Sequence, residues 1–404
     1  MHPLILLQRW LETTCPFIHQ RRLQSLLLAV GALVRGQRLV LTDLGRHLPV
    51  DTAPRHAIKR VDRLLGNRHL AGERRVIYQA IAAWLLRRHQ RPILLVDWSD
   101  MPRRGGRRRH MLLKAALAHR GRAITLYEEV HTLRAYNSAR AHRHFLTRLA
   151  GVVPPHCHPI VITDAGFRGP WFRAVEALGW DWLGRVRDNV NCRPDGARGW
   201  CPAIALYRQA TARARSLGRW QLSSRTPYTA TLHLVRQYRR RGPGRPRRAH
   251  GHSYSAMVGR KRHREPWLLG TSMDGASASA AQVVALYAKR MQIEHTFRDD
   301  KGRRWGWQLD YSGSRTIRRL EALLLIGTLG TFLAWLAGLA AERERWHERL
   351  QSSAPRRRRT LSTVFIGRYL LRGARSWLNE RRLLGSVLTL PETLVERSDF
   401  VGIP

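Results

Sequence analysis

Within YAKRMQIEHTFRDDKG, residues 287–302, four side chains have the types and spacing that handle phosphate: Tyr287, Arg290, Glu294 and Lys301. On one helix at about 100° per residue they fall within about 60° of arc. Arginine grips a phosphate through two parallel N–H bonds, a tyrosine hydroxyl donates one more, and lysine offers a compact point charge. Lys301 is one of only five lysines; the other 67 of the 72 basic residues are arginine. The helix is expected to start at a capping box, Ser279 with Gln282, and to stop at Gly302. Leu286, Ile293 and Phe297 form the neighbouring apolar stripe, predicted to press it onto a sheet. Asp299 and Asp300 point away from the polar stripe and are expected in solvent or beside Arg303 and Arg304. Taken alone, Arg290 and Glu294 are an ordinary i, i+4 ion pair.

Two distant acids change that reading. Asp97 in LLVDWSD and Asp164 in VITDAGF are each expected to end a buried strand, where an open α/β sheet presents its ligand crevice. A buried carboxylate is costly without a partner, and neither strand supplies a base. Divalent metal resolves the cost. Two Mg²⁺ ions about 4 Å apart, with Mn²⁺ able to substitute, would activate an attacking oxygen and stabilise a leaving one in phosphoryl transfer. Asp97, Asp164 and Glu294 are therefore the candidate catalytic residues and metal ligands, all through oxygen.

The elements that must position these residues can be read from the pattern. Residues 1–90 are expected to be helical. HAIKRVDRLLGN, residues 56–67, turns Ile58, Val61, Leu64 and Leu65 to one face and Lys59, Arg60 and Arg63 to the other; with LTDLGRHL before it, the pair resembles a helix-turn-helix, or else an ordinary bundle with a solvated basic face. ILLVDW (93–98) reads as a buried strand, and residues 111–131 as a hairpin turning near Arg120 and Gly121. HPIVITDAGF reads as the fourth strand, followed by a helix with Pro170 at its start and Gly179 past its end, and WDWLGRVRDN as the next strand. This order predicts an α/β fold, a mixed sheet over residues 91–190 resumed by the Glu294 helix at 276–315. Residues 191–275 are expected to interrupt the sheet as a β-rich insertion, and residues 316–404 to return to helices, with RRRR (356–359) as a loop.

A net charge of +44, with only 28 acids, calls for a polyanionic partner, nucleic acid first. Arginine-favouring codon bias explains the choice of arginine but not the scarcity of acids. PGRPRR (243–248) resembles a minor-groove hook carrying Arg245 and Arg247, and RRGGRRR (103–109) could track DNA beside the first acid; a plain charged loop explains either. Cys15, Cys157, Cys192 and Cys201 make no C-x-x-C pair, which favours reduced thiols in a cytoplasmic setting. A zinc site from His156, Cys157, His158, Cys192 and Cys201 fits no standard spacing. The start, MHPLILLQRWL, has too short an apolar run for a secretory signal. Residues 322–341 carry no charge and are long enough to span a bilayer, but three glycines dilute them, so a buried core helix is the reading taken.

Together, Asp97 in LVDWSD, Asp164 in VITDAGFRGPW, and Tyr287, Arg290, Glu294 and Lys301 spaced Y-x2-R-x3-E-x6-K resemble the cut-and-paste insertion-sequence transposases with a ribonuclease H-like core. IKRVDRLLGNRHL and LGWDWLGRVR extend the likeness over nearly the whole chain. The resemblance implies a bacterial enzyme acting on double-stranded DNA, both transposon ends and target, as a homodimer with dimer contacts in the helical C-terminal region and no membrane partner. It also implies that Trp267, in EPWLLGTS, stacks a flipped base, although a tryptophan on a strand is as often core. A nuclease of the same fold that cuts without joining, or a DNA-binding derivative without catalysis, are the alternatives.

Overall fold

The computed structural model describes residues 3–101, 110–119, 122–187, 190–236, 265–302, 304, 306–351 and 360–373. In chain order these give α1 Pro3–Thr14, α2 Gln20–Gly36, α3 Leu41–Arg46, α4 Pro54–Leu65, α5 Arg68–Leu86, β1 Ile93–Asp100, β2 His110–His119, β3 Arg122–Thr132 and α6 Ala139–Ala150. There follow β4 Ile160–Thr163, α7 Gly169–Glu176, β5 Asp181–Val186, β6 Asn191–Pro194, β7 Cys201–Pro202, β8 Arg215–Leu222, β9 Tyr228–Val235 and β10 Trp267–Thr271. The last helices are α8 Ala280–Ala288, α9 Met291–Lys301, α10 Ile317–Arg343, α11 Trp346–Leu350 and α12 Thr363–Gly373. The expected turn at Arg120 and Gly121, RRGGRRR, PGRPRR with Arg245 and Arg247, and RRRR at 356–359 lie outside the described residues.

The chain forms two compact units, with β1 shared between them. Unit one takes the described residues of 1–92, 96–157 and 292–399, and unit two those of 93–95 and 158–291. The fold is mixed α/β with a ribonuclease H-like strand order. In unit one the order is β3-β2-β1, with β2 and β3 antiparallel. In unit two the first residues of β1 lead into β4-β5-β10-β9-β8-β6-β7. There β4 and β5 run parallel, and β10 is antiparallel to both β5 and β9.

The β-rich insertion therefore does not interrupt the sheet. Leu268 and Thr271 of β10 pair with Val186 and Leu183 of β5, so the inserted strands continue the ladder from its open side. An exposed edge strand is a template for further pairing, and here the chain's own insertion takes that edge.

Unit one is built around α10. The helix is long and apolar enough to cross a membrane, with mean hydropathy 2.0, but 94% of its most apolar window is buried inside the protein. It is a core helix. Its small residues are where other elements come close: a Cβ at Gly338 would collide with the Thr363 carbonyl, and one at Gly367 of α12 with the Ala334 carbonyl. The N-terminal helices pack by the same rule, since a Cβ at Gly45 of α3 would meet Ile58 Cγ1 of α4 at 2.5 Å. Val61, Leu64 and Leu65 of α4 are buried as expected, while Lys59 and Arg63 are exposed and Arg60 is half-buried.

The capping box of Ser279 and Gln282 is present and starts α8. The helix it starts does not reach Gly302. It ends at Ala288, and α9 begins at Met291 after a turn through Lys289 and Arg290. The single stripe expected from 287 to 301 is thus divided: Tyr287 belongs to α8, Arg290 to the turn, and Glu294 with Lys301 to α9. The apolar stripe holds, with Leu286, Ile293 and Phe297 all buried.

Candidate active site

In unit one the strand that carries Asp97 and the side chain of Lys301 are tied together. Asp97 lies within β1, which runs on to Asp100 rather than ending at the acid. It is 7% exposed, and its Oδ1 accepts the backbone N–H of Trp98 at 2.8 Å. Two residues on, Ser99 Oγ accepts a 2.6 Å bond from Lys301 Nζ, which also donates to the Asp100 carbonyl. Burial pushes the Lys301 ammonium below its ordinary range, partly offset by Asp300 and Asp100. Glu294 stands on the same helix as Lys301, two turns earlier and exposed. The helix bearing Glu294 is therefore fastened to the strand bearing Asp97.

That fastening has a second component, one not legible in the sequence. Asp299 and Asp300 do not face solvent. Asp300 is buried and accepts from Lys114 Nζ at 2.5 Å, while Asp299 pairs with Arg122. Lys114 on β2 is fully buried, and its ammonium also lies 3.0 Å from Glu128 on β3. Burial alone would lower the Lys114 pKa, but Asp300 and Glu128 outweigh it and hold the group charged. Glu128 accepts further bonds from Tyr78 at 2.9 Å and Thr328 of α10 at 2.7 Å. Both of these bonds fall on Oε1, while Oε2 faces the Lys114 ammonium, the charge partner a buried carboxylate requires.

In unit two Asp164 follows β4 directly, and its Oδ1 accepts the Gly166 N–H at 2.8 Å. Tyr287 is buried; desolvation raises its pKa, moderated by Arg290 and Arg185, with Asp164 and Arg187 also acting on it. Trp267 of β10 is half-buried and packs edge-on against the Tyr287 ring, centroids 5.0 Å apart. Asp164, Tyr287, Trp267 and Arg290 thus share one unit, and Asp97, Glu294 and Lys301 the other.

The donor set of Asp97, Asp164 and Glu294 is carboxylate oxygen only, which suits a hard divalent cation. Among the described residues no three His, Cys, Asp or Glu side chains stand grouped as a metal cage. The zinc alternative finds no such group either. Cys192 and Cys201 face each other at 3.8 Å between Sγ atoms, and the Cys157 thiol and His156 ring contact backbone carbonyls, Leu86 O among them.

Residues 88–329, more than half of the chain, match the family model described as the transposase DDE domain. The chain belongs to the DDE transposase family. It is an enzyme acting on DNA, and its excess positive charge has its explanation in that partner. No curated relative matches the transposase. Among solved structures it is similar to a piggyBac transposase in a cryo-EM synaptic complex with hairpin DNA, at 11% identity and a TM-score of 0.40, over 91% of this chain and 76% of that one.

Proposed function

We propose that this transposase carries out cut-and-paste transposition of an insertion sequence, in the manner of the transposase of the tetracycline-resistance composite transposon. Asp97, Asp164 and Glu294 act as one acid set that would hold two magnesium ions. When bound, such ions supply charge neutralisation at the attacking and leaving oxygens of a phosphodiester. Lys301, Arg290 and Tyr287 grip phosphates beside the reacting one, and Trp267 stacks an extruded base. Lys59, Arg60 and Arg63 on α4 contact transposon-end DNA, as do Arg245 and Arg247.

Water first opens one strand. The released 3′-hydroxyl then attacks the opposite strand and closes a hairpin, a second water reopens it, and the 3′-hydroxyl joins target DNA. A homodimer brings two ends together, each subunit cutting the end bound by its partner, in the bacterial cytoplasm and on the nucleoid. The observation that carries this reading most directly is the bond from Lys301 to Ser99, because it fastens the Glu294 helix to the Asp97 strand. Purified protein incubated with its own element's ends and magnesium should yield hairpin-capped element fragments. Nicked or blunt products with no hairpin and no joining would instead support a nuclease.

A further inference from the structure

Unit two contains a cleft of about 670 Å³ beside the second acid. Its wall begins at Ala165, next to Asp164, and carries Arg168, Arg185, Arg187 and Arg225, with Ser223 and Thr226 at the rim. Among the described residues no Asp or Glu lines it. The Nε atoms of Arg185 and Arg187 are buried and have no acceptor, although Arg185 also reaches the Pro266 carbonyl at 3.3 Å and Glu265 at 3.5 Å. Four guanidinium groups in one wall, with no carboxylate among its described residues, are the arrangement an anion satisfies.

The rim is set in advance. Ser223 holds a left-handed backbone, φ +68, uncommon for a residue with a Cβ. Its N–H is fixed to the Asn191 carbonyl at 2.8 Å and its hydroxyl to that of Thr226 at 3.3 Å. Of the aromatic residues in the wall, Phe167 and Phe172 are buried, Phe172 stacked on Trp182 with centroids 4.0 Å apart, and Arg173 lies 5.8 Å from the Tyr228 ring centroid. The open part of the wall is therefore dominated by guanidinium charge, which suits a phosphate.

We infer that this cleft seats a backbone phosphate of the DNA strand engaged at Asp164, reading charge and not sequence. The inference rests on the transposase reading and adds Arg168, Arg185, Arg187 and Arg225 to the residues that reading assigns to phosphate. Phosphodiester contacts of this kind release counterions, so each appears as close to one unit in the slope of log affinity against log salt.

The test uses the full chain and a duplex of the element's end, followed by fluorescence anisotropy across a salt series. Arg168→Ala with Arg225→Ala should lower affinity about tenfold or more and flatten the slope by about one. Arg198→Ala with Arg208→Ala removes the same charge from exposed positions that do not line the cleft, and should change both far less. A duplex with one methylphosphonate at the seated position should bind the unaltered chain more weakly but the cleft variant no more weakly than the native duplex. Equal behaviour of the two double variants, or methylphosphonates that weaken both proteins alike at every position, overturns the inference. Inorganic phosphate binding that depends on the cleft without any cleft effect on DNA affinity overturns it as well. Cutting by the unaltered chain is scored in parallel: hairpins without a cleft effect remove only this inference, and a cleft effect without cutting removes only the reading of function.

Discussion

Glu129 on β3 is only 2% exposed, yet it is held ionised. Burial alone would raise its pKa, but the His131 ring 3.2 Å away and hydrogen bonds from Tyr127 and Arg148 bring it from 4.5 to about 2. A carboxylate depressed in the folded state adds stability that is complete above the unfolded value and fades as pH falls through the folded one. The window is thus from about pH 4.5 down to about pH 2. Glu129→Gln should lower stability at neutral pH by roughly 3 kcal/mol and flatten the acid limb across that window, checked by urea midpoints at stepped pH. At the same scale, Glu294→Gln should leave DNA affinity near that of the unaltered chain while cutting is lost, because an amide keeps the shape but not the charge. Gel retardation and product analysis on the same samples would check both halves.

The elements are where sequence reading and structure part company. The spacing of Tyr287, Arg290, Glu294 and Lys301 is legible in the sequence as a resemblance to a family signature. Their division between two helices is not, since nothing in KRM, residues 289–291, is a helix breaker of the glycine or proline kind. The Lys114 pairing was hidden by a single irregularity. His119 faces Arg122, and carrying that register back evenly would set Lys114 opposite Tyr127; the shift between Ala115 and Ala116 sets it opposite Glu128 instead. A bulge inserts one residue on one strand and re-aims the side chains beyond it. With the partner strand shifted, a lysine in an apolar run becomes one arm of a buried ion cluster holding α9. Lys114→Met should therefore cost about 3–5 kcal/mol by leaving Glu128 and Asp300 uncompensated, while adding Asp300→Leu should restore a substantial part, as measured by denaturant midpoints. Close packing sets a comparable constraint where α10 meets α12. Gly338→Ala should lower stability by about 1–3 kcal/mol through overpacking, despite alanine's better helix propensity, and a thermal melt would show it.

At the scale of the molecule, the charge of +44 makes a polyanionic partner legible in the sequence, and the motifs around Asp97, Asp164 and Glu294 make the enzyme class legible by resemblance. The course of the insertion is not, because pairing between β5 and β10 joins residues some 80 positions apart, and alternation within a strand says nothing about which edge it takes. Charge on this scale makes salt a sensitive probe. Affinity for duplex DNA should fall steeply with salt, by close to one unit of log–log slope per neutralised phosphate, whereas a flat dependence would exclude multi-phosphate binding. The central claim is that three acids distant in sequence serve one phosphoryl-transfer reaction. It is tested most directly by measuring magnesium-dependent cutting of the element's end with Asp97→Asn, Asp164→Asn and Glu294→Gln, each first shown to bind that DNA. Loss of cutting in all three is the expected result; cutting at the unaltered rate by any one of them would contradict it.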